Sequence, residues 1–402
     1  MKILVVCQHY APEPVRLPDI CEEWVRRGHE VDVITGVPNY PMGYIYDGYK
    51  KRKNRNENIN GVSVHRCFTI GRRKGIFFRF LNYYSFAISS TLYAARLKKE
   101  YDAVFVNQLS PVMMACAAVR YKKKHKKKLF LYCLDLWPES LTVGGIKRGG
   151  LLYRIFKRTS KRIYKAADEL AVTSQSFSEY FERELGIPAD GITYIPQYSE
   201  SLFTPEACQK KENGSIDLMF AGNVGVAQSV KTIIEAAAIT QDVKNLKWHI
   251  VGEGSELAAV QEMAQQRKLS NVIFHGRHPV SEMPAFYSMA DAMLITMQKS
   301  PFISLTLPGK IQTYMAAGKP ILGAIDGEAN RVIKDSGCGL CAPAEDAEGL
   351  AEIVRQFAVS GSKEELSRKS LQYYRENFEK DACVSRMEQL LLNCVDGDGK
   401  NR

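Results

Sequence analysis

The sequence predicts an α/β protein made of two doubly wound, Rossmann-like halves that face each other across a cleft. Three observations predict it. Apolar runs of strand length recur from the first residues (KILVVCQHY, EVDVIT, YDAVFVNQ, KLFLYCLDLW), and helical patterns fill the gaps between them. Continuous apolar strands spaced by helices indicate a parallel sheet covered on both faces. The same grammar starts again after residue 215 with IDLMFAGNVG. Finally, 402 residues, 45% of them hydrophobic, exceed one ordinary core of roughly 100–200 residues.

The elements follow in order. KILVVCQHY is a buried first strand rather than a signal peptide, because polar residues interrupt it after Cys7. LPDICEEWVRRGHEVDVIT reads as helix, a Gly28-His29 turn and a second strand, and LLYRIFKRTSKRIYKAAD at 151–168 as a helix. In the second half VKTIIEAAAIT is a helix, LKWHIVGEGSE and NVIFHGRHP are strand-to-loop units, and AMLITM and PILGAI are further strands. GLCAPAEDAEGLAEIVRQFA closes with a strand, an N-capping Asp346 and a helix. The polar stretch 194–215 is expected to be the linker. The domains are then 1–200 and 201–375, with 376–402 a last helix that returns to the first domain.

Charge is lopsided. Residues 1–200 hold 33 Lys+Arg against 19 Asp+Glu, a net of +14; the remaining 202 hold 22 against 25, a net of −3. The basic half should meet something anionic. Ten cysteines lack a pairing rhythm, and Cys338 and Cys341 are read as two plain thiols, which suits the cytosol. No stretch reaches the ~18 uncharged apolar residues of a spanning helix. His249 and His275 sit in apolar strands and read as core histidines, and no spaced ligand set suggests a metal.

Three glycine loops follow strands in the second half: FAGNVGVAQ with Gly222, Asn223, Gly225 and Gln228; VGEGSE with Gly252 and Gly254; and FHGRHP with Arg277. Glycine lets a backbone approach a ligand, helix N-termini attract anions, and arginine offers forked donors suited to phosphate. LPGKIQTYMAAGKP at 307–320 adds Lys310 at a helix start, with Ile311, Tyr314 and Met315 facing inward and Gly318 ending the helix. Lys319 is expected to serve that helix's C-terminal dipole. Together these stretches suggest a site for a diphosphate.

With these motifs in hand, residues 216–358 resemble the nucleotide-sugar-binding domain of glycosyltransferase family 4, which has the GT-B architecture. HYAPEPVRLPDICEEWVRRGHEVDVIT and DLWPESL are similar to the bacterial branch that makes capsule, O-antigen and related polysaccharides, including fucosaminyltransferases. The resemblance implies a UDP-sugar donor, an N-acetylated amino sugar, retention of configuration and no divalent metal or other cofactor. Two places depart from the family. Asn223 and Gln228 stand where many members carry Arg and Lys on the donor phosphates, and Thr313 stands where a Glu usually grips the ribose. Phosphate neutralisation should therefore shift to Lys310 and Arg277, with Glu328 a carboxylate for the ribose. Asp135 and then Glu139, after a strand in LDLWPES, are candidates for the acceptor or sugar contact, against a plainer reading as an N-cap and a solvent-facing acid. His9 and Arg16 lie in the loop after the first strand and are placed on the acceptor side.

One further stretch, RRKGIFFRFLNYYSFAISSTLYAARLKK at 72–99, is rich in aromatics and flanked by cations, and YKKKHKKK at 121–128 is a second basic cluster. Lying at an anionic membrane surface fits both; filling the first core and solvating a loop is the alternative. No RNA-binding module accompanies the lysines, so no nucleic-acid partner is expected. The expected activity is transfer of a sugar from a UDP-sugar to a polyprenyl-diphosphate-linked saccharide, catalysed with Asp135, Glu139 and Lys310, at the inner face of a bacterial plasma membrane. A nucleotide-sugar epimerase and a basic nucleic-acid-binding protein are the rivals.

Overall fold

The computed structural model describes residues 1–73, 75–142 and 145–396. Lys74, within the basic aromatic stretch, lies outside them. The chain divides into two compact units, Met1–Ile195 with residues 384 onward, and Pro196–Cys383.

The first unit has one eight-stranded sheet: β1 (Lys2–Val6), β2 (Glu30–Thr35), β3 (Asn56–Ile59), β4 (Val62–Arg66), β5 (Ala103–Gln108), β6 (Lys128–Cys133), β7 (Glu169–Val172) and β8 (Ile192–Tyr194). Their order is β3-β4-β2-β1-β5-β6-β7-β8, with only β3 and β4 antiparallel. The apolar strands KILVV and AVFVNQ pair in the centre, where helices shield both faces, and every residue of β5 is buried. Five helices connect the strands: α1 (Leu17–Arg26), α2 (Ile76–Arg96), α3 (Cys116–His125), α4 (Leu151–Tyr164) and α5 (Ser176–Tyr180). The chain steps one way across the sheet through α1 and the other way through α2, α3 and α4. Right-handed crossovers therefore put α1 on one face and the other three on the opposite face. On the α1 face Trp24 meets Phe105 edge-on, ring centroids 5.0 Å apart. On the other face Phe80 of α2 stacks on Phe156 of α4 at 5.7 Å.

The second unit has six parallel strands, β9 (Ile216–Ala221), β10 (Leu246–Val251), β11 (Val272–Gly276), β12 (Ala292–Thr296), β13 (Ile321–Ala324) and β14 (Gly339–Ala342), in the order β11-β10-β9-β12-β13-β14. The helices are α6 (Lys231–Ile239), α7 (Leu257–Gln266), α8 (Met283–Tyr287), α9 (Gly309–Ala316), α10 (Gly327–Ser336), α11 (Ala347–Val359), α12 (Lys363–Asn377) and α13 (Lys380–Asp396). Strand alternation splits β9 between two cores: Leu218 and Phe220 join Trp248 and Phe357 on one side, Met219 joins Tyr314 and Met315 on the other. Asp346 caps α11 as expected, its Oδ1 accepting from the Gly349 N–H at 2.8 Å. The tail of α13 belongs to the first unit. There Glu388 accepts from Arg27 at 2.7 Å and from His29 at 2.6 Å.

Three expectations need revision. The boundary between the units, Ile195 to Pro196, falls in the expected linker 194–215, but most of that stretch packs on the second unit: Phe203 and Cys208 are buried in its core, and Lys210 pairs with Asp217 at 2.8 Å and with Asp291. Lys319 does not serve the end of α9; its Nζ donates to Ala290 O at 2.8 Å, which ties α9 to the loop before β12. His249 is a core histidine as read, held by Asp217 at 2.9 Å, but His275 beside it is only half-buried. All ten cysteines are free thiols, and no described helix is long and apolar enough to cross a membrane.

The histidine pair predicts an acid response. His249 Nδ1 and His275 Nε2 lie 2.9 Å apart. Burial, and then the neighbouring His249 and His278, hold the His275 imidazole below its usual value. A depressed histidine favours the neutral form in the folded state. That stability is fully present above about pH 6.5 and is lost as pH falls through the lower folded-state value. The thermal midpoint of the second unit should therefore drop between pH 7 and pH 5, and His275→Gln should flatten that slope.

Candidate functional site

The carboxyl edge of a parallel sheet is where its loops can converge on a ligand. In the second unit the loops after β9, β10 and β11 lie side by side there. Gly222 (φ 142°) and Gly252 (φ 144°) adopt backbone that other residues rarely take. Their main chains are interlocked: Gly222 N–H donates to Val251 O at 2.9 Å, Gly252 N–H to Gly276 O at 2.7 Å, and Val224 N–H to Glu253 O at 2.8 Å. A Cβ on Gly252 would collide with Gly222 O, and one on Gly254 with Val224 O. These two glycines are thus needed first for loop-on-loop packing.

Helix α9 delivers Lys310 to this edge. Pro308 occupies the N-cap with extended backbone, and Gly309 starts the helix. One turn on, the Tyr314 hydroxyl donates to Ala221 O at 3.1 Å and accepts from the Ala221 N–H at 3.3 Å, which clamps α9 to the end of β9. Lys310 lies four residues earlier on the same helical face. Its Nζ stands 4.0 Å from the centroid of the Phe220 ring, and a Cβ on Gly222 would meet it at 2.9 Å. The amine is buried and has no hydrogen-bond partner among the described residues. Burial alone pushes it down to about 7 from the ordinary lysine value.

The other donor-side residues are placed less uniformly. Asn223 is exposed and its Nδ2 donates to Gln228 Oε1 at 2.9 Å, so the two neutral residues at the family's cation positions bond to each other. Gly225 is buried beneath that pair. Arg277 is exposed after the edge strand β11, two strands from β9, or ~10 Å at the usual spacing. Thr313 is buried and its hydroxyl donates to Gly309 O at 3.3 Å, back into its own helix. Glu328 opens α10 at the carboxyl end of β13, but its buried carboxylate is paired with Arg331 at 2.7 Å. Sequence reasoning passed over Lys299. It is exposed in the loop after β12, where Gln298 N–H bonds Ala227 O of the first glycine loop at 2.9 Å.

In the first unit the loops after the neighbouring strands β1, β5 and β6 carry His9, Ser110 and Asp135 at one sheet edge. His9 is buried, with Nδ1 3.0 Å from Glu13 Oε1. Glu13 also accepts from the N–H groups of Asn39 at 2.8 Å, Tyr40 at 2.7 Å and Tyr10 at 3.2 Å. An acceptor on that side fixes the proton on Nδ1 and leaves Nε2 as the acceptor. Glu13 was missed, although its i,i+4 spacing from His9 was a readable signal. Asp135 accepts from Ser110, which also bonds Ser140 at 2.8 Å. Burial raises its carboxyl above the usual range, against the two serines and Arg72. Glu139 is neither an N-cap nor solvent-facing. It is 2% exposed and accepts from the hydroxyls of Tyr153 at 2.5 Å and Tyr180 at 2.9 Å, which gives it a structural post. Arg16 is the N-cap residue of α1 and is half-buried.

Two Rossmann-like units, the second with glycine loops at the carboxyl edge of its parallel sheet, are the arrangement of a GT-B glycosyltransferase. Family comparison agrees. Residues 14–197 match the model described as "Glycosyl transferase 4-like domain", and residues 206–377 match "Glycosyl transferases group 1". The chain belongs to this family of glycosyltransferases, which sets aside the epimerase and the nucleic-acid binder. It is 26% identical over 380 residues to the putative colanic acid biosynthesis glycosyl transferase WcaI of Escherichia coli (strain K12), covering 89% of this chain and 92% of that one. It is 25% identical to the probable glycosyltransferase WbjE of Pseudomonas aeruginosa, over 61% and 63% of the two chains. Among solved structures, sucrose-phosphate synthase from Thermosynechococcus elongatus superposes with a TM-score of 0.76 at 15% identity, covering 98% of this chain and 99% of that one. Anabaena Alr3699/HepE in complex with UDP and glucose gives 0.70 at 15% identity, covering 97% and 99%.

The interlocked loops make one substitution diagnostic. Gly254→Ala should destabilise the second unit by on the order of 2 kcal/mol, since the loops must part to admit the methyl group. Calorimetric unfolding checks this, with Gly361→Ala in the same unit, where an added Cβ meets nothing within 4 Å, as the control for loss of a glycine.

Proposed function

We propose that this glycosyltransferase transfers a sugar from a UDP-sugar to a polyprenyl-diphosphate-linked saccharide during assembly of a bacterial surface polysaccharide. The observation that carries the donor half is Lys310: a buried amine with no partner among the described residues, at a helix start and against Gly222. Burying a cation without a counter-charge is costly, and a diphosphate would supply that charge. UDP fits because Alr3699/HepE has been solved with UDP, UDP and glucose, and UDP-glucose. WcaI, described as a putative colanic acid enzyme, supports the polysaccharide context. An N-acetylated amino sugar and retention of configuration follow from the family resemblance.

In this reading the residues act electrostatically. Lys310 and the free N–H groups opening α9 stabilise the charge that develops on the leaving diphosphate. Lys299 and Arg277 lie further out and steer the donor. The Ser110-bound carboxyl of Asp135 and the Nε2 acceptor of His9 are offered to the acceptor or the sugar. The reaction uses no divalent metal, so a chelator should leave turnover unchanged.

The lipid half rests on one helix layer. Phe77, Tyr84, Ile88 and Leu92 form an exposed stripe along α2, while Tyr83 and Phe86 point into the core. Leu151, Leu152 and Ile155 are exposed at the start of α4, beside the exposed Arg154 and Arg158. An apolar stripe with flanking cations suits an anionic leaflet. The lysine run contributes less than expected. Lys122 pairs with Asp168 at 2.5 Å, and Lys124 caps the carbonyls of Ala95 and Leu97 at 3.0 and 2.8 Å.

Two measurements test this. Lys310→Ala should cut transfer from a UDP-sugar to a lipid-diphosphate acceptor at least tenfold, about 1.4 kcal/mol or more, with the fold intact by calorimetry. Unchanged turnover would remove Lys310 from the site. Ile88→Asp with Leu151→Asp should release the protein from anionic vesicles in flotation, and persistent binding would place the membrane face elsewhere.

A further inference from the structure

The amine of Lys310 is buried, has no hydrogen-bond partner among the described residues, and faces an aromatic ring and a glycine backbone. The charged groups on the surrounding elements are Glu253 and Glu256 after β10, Arg277 and His278 after β11, Lys299 after β12 and Glu328 on α10. None of them acts on this amine; burial is the sole influence on it. An ammonium there loses its hydration and gains only the ring face, so the neutral amine is favoured while the site is empty. A diphosphate reverses the balance, because two anionic groups beside Nζ stabilise the charged form.

We propose that Lys310 waits as a neutral amine and takes up a proton from solvent as the donor's diphosphate seats against it, so that nucleotide binding is coupled to proton uptake. This rests on the diphosphate reading above. The solvent proton ends on the Nζ lone pair, and no other bond changes. The empty site then carries no buried charge and the filled site carries a matched one. Donor affinity, unlike that of a site built on arginine, falls as pH rises through the upper physiological range.

Titration calorimetry of the full chain with UDP at pH 8 tests this, run in two buffers of different ionisation enthalpy. An amine that titrates at about 7 when empty is about nine-tenths neutral at pH 8. The apparent heats should therefore differ between buffers by the amount that about 0.9 proton taken up per UDP requires. The terminal phosphate of UDP, which titrates near 6, is already ionised there and does not mimic the effect. In the wild type, the Kd for UDP should rise several-fold, up to tenfold, between pH 7.5 and 8.5. Lys310→Met should bind more weakly and with heats that do not depend on the buffer. UDP binding to the wild type with buffer-independent heats would overturn the proton coupling and leave the nucleotide site standing. Absence of any UDP binding would overturn both.

Discussion

Everything at the second unit's sheet edge depends on how closely two loop backbones approach. Gly252 lies against Gly222 O and Gly254 against Val224 O, with no space for a side chain at either contact. The loops are locked to each other by their own main-chain hydrogen bonds, which makes the edge rigid. That rigidity aims Gly222 at Lys310. The Tyr314 clamp on both polar groups of Ala221 then fixes the helix that carries the lysine. Two independent tethers, one through the loops and one through α9, converge on a single buried amine. An amine already fixed in place needs no rearrangement when charge develops beside it.

The two acidic residues of LDLWPES show how burial sorts like chemistry into different work. Glu139 is enclosed by α4 and α5, and one of its carboxylate oxygens accepts from two tyrosine hydroxyls, so it holds the loop after β6 against those helices. Asp135, four residues earlier, lies at the strand end with serines as its neighbours, and its carboxyl is pushed toward the neutral form. Glu13 is a third case. Three backbone N–H groups and His9 converge on it, so its charge organises the loop after β1 and orients the imidazole.

The strands, the two sheets and the capping role of Asp346 were legible in the sequence because each follows from local pattern: unbroken apolar runs, glycine after a strand, Asp before a helix. The placement of Lys310 was legible because Pro-Gly and the inward positions Ile311, Tyr314 and Met315 fix its helical phase. What the sequence could not reveal came from contacts between distant segments. Nothing local distinguishes Glu139, enclosed by tyrosines 14 and 41 residues away, from a solvated acid. The packing of 196–215 depends on Asp217 and Asp291 receiving Lys210, and the polar composition concealed it. α2 was read as either interface or core, whereas one of its faces is buried in the core and the other carries exposed apolar side chains.

The neutral pair Asn223 and Gln228 gives the reason one cation can suffice. Where relatives are expected to hold two fixed positive charges, these residues bond to each other and offer only dipoles. Dipoles bind an anion without a field that extends far into solvent, so the first contact of the proposed donor is less driven by charge. The remaining attraction is concentrated at Nζ of Lys310, where low dielectric makes a single charge count for more than it would at the surface. In the proposed reaction it acts at the leaving group rather than on the sugar. Charge on the diphosphate rises as the glycosidic bond breaks, so that interaction is stronger in the transition state than in the ground state. Interactions that strengthen in this way are the ones that accelerate the chemical step instead of merely tightening the complex.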